Sequence, residues 1–363
     1  MRALDRIIAS GFKSIKAVDL ELRKLNVLIG SNGVGKSNFI GLFKLLNNIV
    51  EENLQVYVGS CGGAETLLHF GRKTSNQISI DLSFAGYTNG YKCILSPTAD
   101  DSFIFNYEEC WFHDTFRYVN PLRVPLGSGH KETKLSEEAK TKNIARHVRD
   151  DLKSWKVYHF HDTSDSAKVK QTGDLEDNRV LRPDAANLAA FLYRLKDKSS
   201  THYANIVDAT RLVFPFFDDF VLEPSALNPN KIRLEWREKG SDAYFNASAL
   251  SDGTLRFMCL STLLLQPHLP TAILLDEPEL GLHPYAITIL AELLRGAATK
   301  TQVIVSTQSV SLVNQFEPED IIVVEREERH SVFRHLDKAD MQNWLDDYGL
   351  GDLWEKNIIG GRP

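Results

Sequence analysis

Eight consecutive residues, Gly30-Ser31-Asn32-Gly33-Val34-Gly35-Lys36-Ser37, constrain this chain more than any other stretch. They follow the apolar run Leu25-Asn26-Val27-Leu28-Ile29 and precede residues 38–46, where apolar side chains recur at helical spacing. A strand that enters a glycine-rich turn and leaves through Gly-Lys-Ser into a helix is the setting a phosphate-binding loop requires. Glycines permit backbone angles closed to other residues, so the amides can turn inward toward a phosphate. The helix N-terminus adds partial positive charge. Lys36 is placed to reach the β- and γ-phosphates and Ser37 to ligate magnesium. Asn38, next on the helix, completes the expected nucleotide-binding run.

The rest of the composition permits a large soluble fold. The 363 residues are 43% hydrophobic and 25% charged, within the range of globular proteins. The longest apolar run, residues 257–265, is half of the roughly 18 residues needed to cross a bilayer, so no membrane partner is expected. Charge at Arg2, Asp5 and Arg6 falls where an export signal would have its apolar core. Cys61, Cys93, Cys110 and Cys259 are scattered and suggest neither a zinc site nor a disulfide framework, which fits a reducing cytoplasm. A net charge of −6 argues against a general nucleic-acid coat while leaving a local basic patch open.

Along the chain, residues 4–9 and 17–22 read as strands around the turn Ser10-Gly11-Phe12-Lys13-Ser14, and 77–84, 91–95 and 103–107 alternate like antiparallel strands. Between about 112 and 215 the pattern turns helical, with a charged helix at 135–152, amphipathic helices at 187–195 and 201–213, and a polar loop at 161–179. From residue 250 helix and strand alternate as in units of a parallel sheet. The expected organisation is a lobe at 1–111 carrying the phosphate loop, a helical insertion or lid at 112–215, and a second lobe at 216–363. No long heptad segment is present, so no coiled-coil arm is expected.

A second motif completes the nucleotide reading. Ala272-Ile273-Leu274-Leu275-Asp276-Glu277-Pro278 is an apolar strand ending in two acids, and ligands bind at the carboxyl ends of buried parallel strands. Asp276 is expected to hold magnesium, and Glu277 to orient or deprotonate the attacking water. Upstream, Leu250-Ser251-Asp252-Gly253-Thr254-Leu255-Arg256 opens an apolar helix, with Ser251 a natural N-cap and Gly253 keeping its entrance open to a close ligand.

With these residues in view the chain resembles ABC-type ATPases of the RecF and SMC branch. LSDGTLR looks like their signature motif, ILLDEP like their Walker B strand, and Gly11-Phe12-Lys13-Ser14-Ile15 is similar to the opening strand and turn of SMC heads. Residues 67–71, 306–309 and 357–363 add a likeness to RecF-like ATPases often labelled AAA family. The resemblance implies an α/β ABC-type ATPase head (P-loop NTPase) with an antiparallel β lobe and a helical insertion. It also implies ATP and Mg2+ as cofactors, and Lys13 as a further nucleotide-binding residue. It implies a head-to-tail homodimer, or a higher oligomer, in which Ser251 and Gly253 of one subunit face the ATP held by the other. Arg256 reads equally as a contact across that interface or as a solvated helix charge.

Three places depart from that pattern. Gln308 follows the strand 303–307 where relatives carry histidine; it can orient water or bond a γ-phosphate but cannot take up charge, or it caps the next helix. His283 stands where many relatives carry aspartate, at the interface or simply before the helix start at Pro284. No glutamine is assigned to the Q-loop; Gln77 lies in the right region but begins a strand. His159, His161 and Asp162 have the spacing of a metal set, and a structural role at a strand end is favoured. Lys131, Lys134, Lys140, Lys142, Arg146 and Arg149 are close enough to share a docking surface, diluted by Glu132, Glu137 and Glu138.

The function expected is an ATP-hydrolysing subunit of a bacterial anti-phage defence or DNA-repair system. It would act with a separate effector such as a nuclease, with DNA open as a further partner. The competing expectation is an ATP-locked scaffold or sensor that holds a toxin inactive with little turnover. A transporter subunit fits less well, because the signature is not LSGGQ and the switch histidine is missing.

Overall fold

The computed structural model describes residues 3–337, 344 and 347–362; Pro363, the last residue of the 357–363 motif, lies outside them. The central sheet has the order His330–His335, Ile321–Glu327, Leu25–Ile29, Gln302–Thr307, Ala272–Asp276, Trp155–Tyr158. The first of these strands joins antiparallel and the remaining pairs are parallel.

Alternate residues of each strand enter different cores. Val27, Ile29, Ile273, Leu275, Val303, Val305 and Val323 share one. Leu28, Leu274, Ile304, Ile322 and Val324 share the other. Both faces are therefore buried, which is why these strands read as unbroken apolar runs. The first core is covered by the helices Leu188–Lys198, Ser200–Val213, Asp252–Leu265 and Pro284–Ala298. The second encloses the helices Lys36–Val50 and Asn143–Ser154 together with a six-stranded antiparallel sheet. That sheet has the order Ile15–Glu21, Leu4–Phe12, Ile78–Phe84, Asn89–Pro97, Phe103–Phe112, Leu122–Gly127. The architecture is the α/β head with an antiparallel lobe that the resemblance implied.

Gln302 fastens the two sheets. Its buried amide accepts from the Leu4 amide and donates to the Leu4 carbonyl, each at 2.9 Å, and reaches the Arg23 carbonyl at 2.9 Å. Among the described residues the longest helices, Lys36–Val50 and Pro284–Ala298, have 15 residues each, so none of them forms a coiled-coil arm.

The charged helix expected at 135–152 is two helices, Leu135–Glu138 and Asn143–Ser154. The buried positions explain the break. Leu135 and Ala139 keep one helical face, as do Ala145, Val148 and Leu152, but the six-residue step from 139 to 145 would swing a straight helix about 120° off that face. Lys142 takes an extended conformation and resets it. Three strands within 112–215 were not expected; of these Leu122–Gly127 closes the antiparallel sheet and Trp155–Tyr158 forms an edge of the central one. In the polar stretch 161–179, Gly173–Asp174 pairs with Lys231–Ile232.

Candidate nucleotide site

At the carboxyl edge of the central sheet the strand register brings distant residues together. Asp276 pairs with Ser306, Thr307 with Ile29, and Ile29 with Val323. The chain leaves Ile29 into the glycine-rich loop, where Gly30 has φ 153° and a Cβ there would stand 2.3 Å from the Val324 carbonyl oxygen. The helix begins at Lys36 behind Gly35, an N-cap that has no side chain and leaves the first-turn amides open to a ligand. Lys36 curls back across the loop, its Nζ donating to the Gly30 carbonyl at 2.6 Å and the Ser31 carbonyl at 3.1 Å. Burial lowers its pKa, while Glu277, Asp276 and Glu279 oppose the shift. Asn32, Gly33, Gly35, Lys36, Ser37, Asn38 and Glu277 line a cavity of about 150 Å³.

The loop is braced from the antiparallel lobe. Asn38 Nδ2 donates to Ser14 Oγ at 2.7 Å, Ser14 Oγ lies 2.7 Å from Ser331 Oγ, and that hydroxyl reaches the Val34 carbonyl. Arg326 Nη1 donates to the Gly33 carbonyl at 3.4 Å. The Ser37 hydroxyl donates to Asp276 Oδ1 at 3.3 Å, and the Ser306 hydroxyl bonds the same oxygen. A hydroxyl and a carboxylate in contact at the foot of a phosphate cradle form an oxygen donor set suited to a hard cation such as Mg2+. A buried ammonium already bonded to carbonyl oxygens is likewise suited to phosphate oxygens. The residues present thus fit both groups.

Glu277 leaves the strand with φ 44°, a costly angle for a side chain of this kind, and its amide donates to the Ser306 carbonyl at 2.8 Å. Gln308 Nε2 donates to Glu277 Oε1 at 2.8 Å. Helix capping, the alternative reading of Gln308, falls instead to Ser309, whose Oγ accepts from the Leu312 amide at 3.2 Å.

Glu279 escaped the sequence reading. It is buried, its Oε1 accepts from the Thr307 hydroxyl and from the Gln308 amide at 3.4 Å, and its Oε2 has no partner. Burial raises its pKa. The one signal available was a third acid directly after Asp276-Glu277-Pro278.

Other expected residues stand apart from the cavity. Lys13 has φ 47°; its amide donates to the Leu67 carbonyl at 2.9 Å, its carbonyl meets His69 Nδ1 at 2.6 Å, and its Nζ lies 5.6 Å from the Phe12 ring centre. Ser251 caps the helix Asp252–Leu265, accepting from the Thr254 amide at 3.2 Å, and remains exposed. Gly253 sits so close to the loop after Glu279 that a Cβ would stand 2.3 Å from the Gly281 carbonyl oxygen. Neither lines the cavity of its own chain.

Arg256 is neither solvated nor offered to an interface. It is 5% exposed and donates to the Phe160 carbonyl at 2.9 Å and the His161 carbonyl at 3.2 Å, locking the end of the Trp155–Tyr158 strand. His159 and His161 follow that strand, with ring centres 6.3 Å apart; burial, with Lys44 and His161, pushes His159 down to about 4. His283 caps the Pro284–Ala298 helix, accepting from the Tyr285 amide at 3.4 Å.

The basic residues at 131–149 are largely engaged. Lys131 pairs with Asp100 at 3.1 Å, Lys142 with Glu138 at 2.9 Å and Arg149 with Asp150 at 2.8 Å, while Arg146 Nε donates to the Ala139 carbonyl at 3.2 Å.

The fold and the site define a P-loop NTPase of the ABC and SMC-head type. Residues 117–314, more than half of the chain, match the family described as "AAA domain, putative AbiEii toxin, Type IV TA system", and the chain belongs to that family. No curated protein matches it significantly. Among solved structures it resembles an SMC head bound to the C-terminal winged-helix domain of ScpA, at 14% identity and TM-score 0.59, over 93% of this chain and 98% of that one. The SMC head of Pyrococcus furiosus, with an extended coiled coil and bound to the C-terminal domain of ScpA, matches at 16% identity and TM-score 0.53, over 96% and 99% of the two chains. The SMC head of Pyrococcus yayanosii, with a coiled coil and joint, matches at 13% identity and TM-score 0.52, over 96% and 99%. At these identities the likeness is one of fold. Among the described residues no helix is long and apolar enough to cross a membrane.

Proposed function

We propose that this chain binds ATP with Mg2+, hydrolyses it, and works as the cytoplasmic ATPase subunit of a bacterial anti-phage defence or DNA-maintenance system with a separate effector such as a nuclease. The observation that carries the reading is the convergence of Lys36, Ser37, Asp276 and Glu277 at one sheet edge, with Gln308 on Glu277. When bound, the nucleotide supplies the bond to be broken and the metal supplies charge neutralisation. Lys36 then exchanges its loop carbonyls for phosphate oxygens. Ser37 and Asp276 hold the cation, Glu277 takes the proton of a water at its carboxylate, and Gln308 keeps that carboxylate turned toward the water.

The organisation that goes with this reading is two ATPase lobes, 1–111 and 216–363, around an insertion at 112–215. Ser251 and Gly253 act across a head-to-tail dimer. Support for that comes from Ser251, which is exposed at a helix N-terminus and idle in its own chain's cavity. A protein partner is in keeping with the ScpA domains bound to the similar SMC heads. DNA is a weaker candidate, since Lys131, Lys142 and Arg149, three of the six basic residues that would meet it, already hold ion pairs.

Two observations favour a second reading, a scaffold that holds a toxin inactive while ATP locks the assembly. Gln308 has no ionisable group to relay a proton, and the family's description names a putative toxin. Copurification from the native operon, followed by ATPase assays with and without DNA, separates the two. Turnover stimulated by DNA or by a copurifying nuclease supports the first. An ATP-stable complex without turnover supports the second.

A further inference from the structure

Residues 357–361 lie against the Ile321–Glu327 strand, and Gly361 approaches the start of the phosphate loop on the flank opposite the acids. Trp354 and Ile359 anchor the segment, at 0% and 2% exposure. Trp354 Nε1 donates to the Gly361 carbonyl at 2.7 Å, the Gly361 amide donates to Glu325 Oε1 at 2.9 Å, and Arg334 Nη2 donates to the Ile359 carbonyl at 2.6 Å. Gly361 has φ 64°, and a Cβ built on it would lie 2.7 Å from Val323 Cγ1 and 3.6 Å from the Cα of Gly30. The positive φ and the close approach to Val323 call for glycine at this position.

The segment therefore delivers the next residue, Arg362, to the rim of the phosphate cradle. Consecutive Cα atoms are about 3.8 Å apart and an extended arginine reaches roughly 7 Å further, so the guanidinium can span from Gly361 into the cradle. Arg362 is exposed and forms no hydrogen bond or ion pair with a described residue. By contrast Arg326, on the same flank, is held by the Gly33 carbonyl. Strand order fixes which part of a ligand it meets. The Leu25–Ile29 strand lies between Gln302–Thr307, on the side of Asp276 and Glu277, and Ile321–Glu327, on which Gly361 rests. In the nucleotide reading the terminal phosphate would lie toward the acids and the cation, which leaves the other flank to the α-phosphate end.

We propose that Arg362 is a nucleotide-binding residue that contacts the α-phosphate of a nucleoside di- or triphosphate, and that Trp354, through Gly361, positions it. The inference rests on the nucleotide reading above. It is tested by titrating the full chain with ATP and with ADP in the presence of Mg2+. Because a charge-assisted hydrogen bond is lost, Arg362→Ala is expected to weaken both nucleotides alike, by about 10- to 100-fold, with partial recovery in Arg362→Lys. Trp354→Phe, which keeps the bulk and removes the bond to Gly361, is expected to weaken both by a smaller factor and to add nothing in the Arg362→Ala background. Unchanged affinity in Arg362→Ala, while the wild-type chain binds, overturns this inference alone. A loss confined to ATP overturns the α-phosphate assignment. A wild-type chain that binds neither nucleotide overturns the nucleotide reading and this inference together.

Discussion

Gln308 donates its side-chain amide to Glu277 Oε1 at 2.8 Å, although the two residues follow the ends of different strands, 31 positions apart. Each is held from behind: Glu277 by the hydrogen bond its backbone amide donates to the Ser306 carbonyl, Gln308 by the one its backbone amide donates to the buried carboxyl of Glu279. The acid expected to handle a water is thus fixed by a neutral partner that cannot compete for the proton.

Replacing Glu277 by Gln removes the proton acceptor and keeps its shape. ATP hydrolysis should fall by roughly 10²–10⁴-fold while nucleotide binding persists. Steady-state phosphate release beside a binding titration checks this; turnover at the wild-type rate would show that the base lies elsewhere.

Gln308→Ala deletes a hydrogen bond to a charged group, which contributes about 1.5–3 kcal/mol, so kcat should drop about 10- to 100-fold. The same change made in a Glu277→Gln chain should cost little more, because the two residues act as one unit. Additive losses in the double variant would mean that Gln308 acts independently.

Glu279 gives a pH signature. Burial, aided by the charge of Glu277, raises its carboxyl above the ordinary 4.5, against the pull of Thr307 and the backbone donors. The folded chain therefore keeps a proton at pH values where the unfolded chain has lost it. This group's stabilising share is complete below the unfolded value and is lost as pH rises through the folded one. Glu279→Gln never ionises, so its melting temperature should gain on the wild type as pH rises from the ordinary carboxyl value toward neutrality. A gap that stays constant across that range would contradict the assignment.

Ser251→Arg places a bulky charge at an exposed helix start. ATP-dependent dimerisation should disappear while nucleotide binding at Lys36 remains. Mixing this chain with Lys36→Ala should restore one composite site. Light scattering with ATP and magnesium decides the matter: an undiminished dimer from the Ser251→Arg chain alone rules out the sandwich.

Arg256→Ala leaves the Phe160 carbonyl unpaired in a buried corner. We expect a loss of about 1–3 kcal/mol per unsatisfied group, read as a lower urea midpoint with unchanged slope. A variant as stable as the wild type would mean that water replaces the guanidinium.

Both nucleotide motifs were legible in the sequence because their chemistry is written into adjacent residues: glycines beside Lys36 and Ser37, and an apolar strand before Asp276. What could not be read depends on distant partners. Glu279 and Arg256 are ordinary charged residues until the fold buries one behind Thr307 and the other beneath Phe160. Trp155–Tyr158 has four residues, too few to show a period, and its partner strand begins 117 positions later. The break in the 135–152 helix was visible as a six-residue step between small apolar residues, but the dense charge around it read as one solvated helix.

The Leu25–Ile29 strand has both of its neighbours, Gln302–Thr307 and Ile321–Glu327, near the far end of the sequence. A ribosome adding roughly 5–20 residues per second leaves it unpartnered for tens of seconds while the intervening chain is made. During that interval its apolar edge is open to any passing strand. Assembly of the phosphate cradle thus waits until residues 302–327 have been made, and a chain stalled before residue 302 would lack both flanking strands of the sheet edge on which the cradle rests.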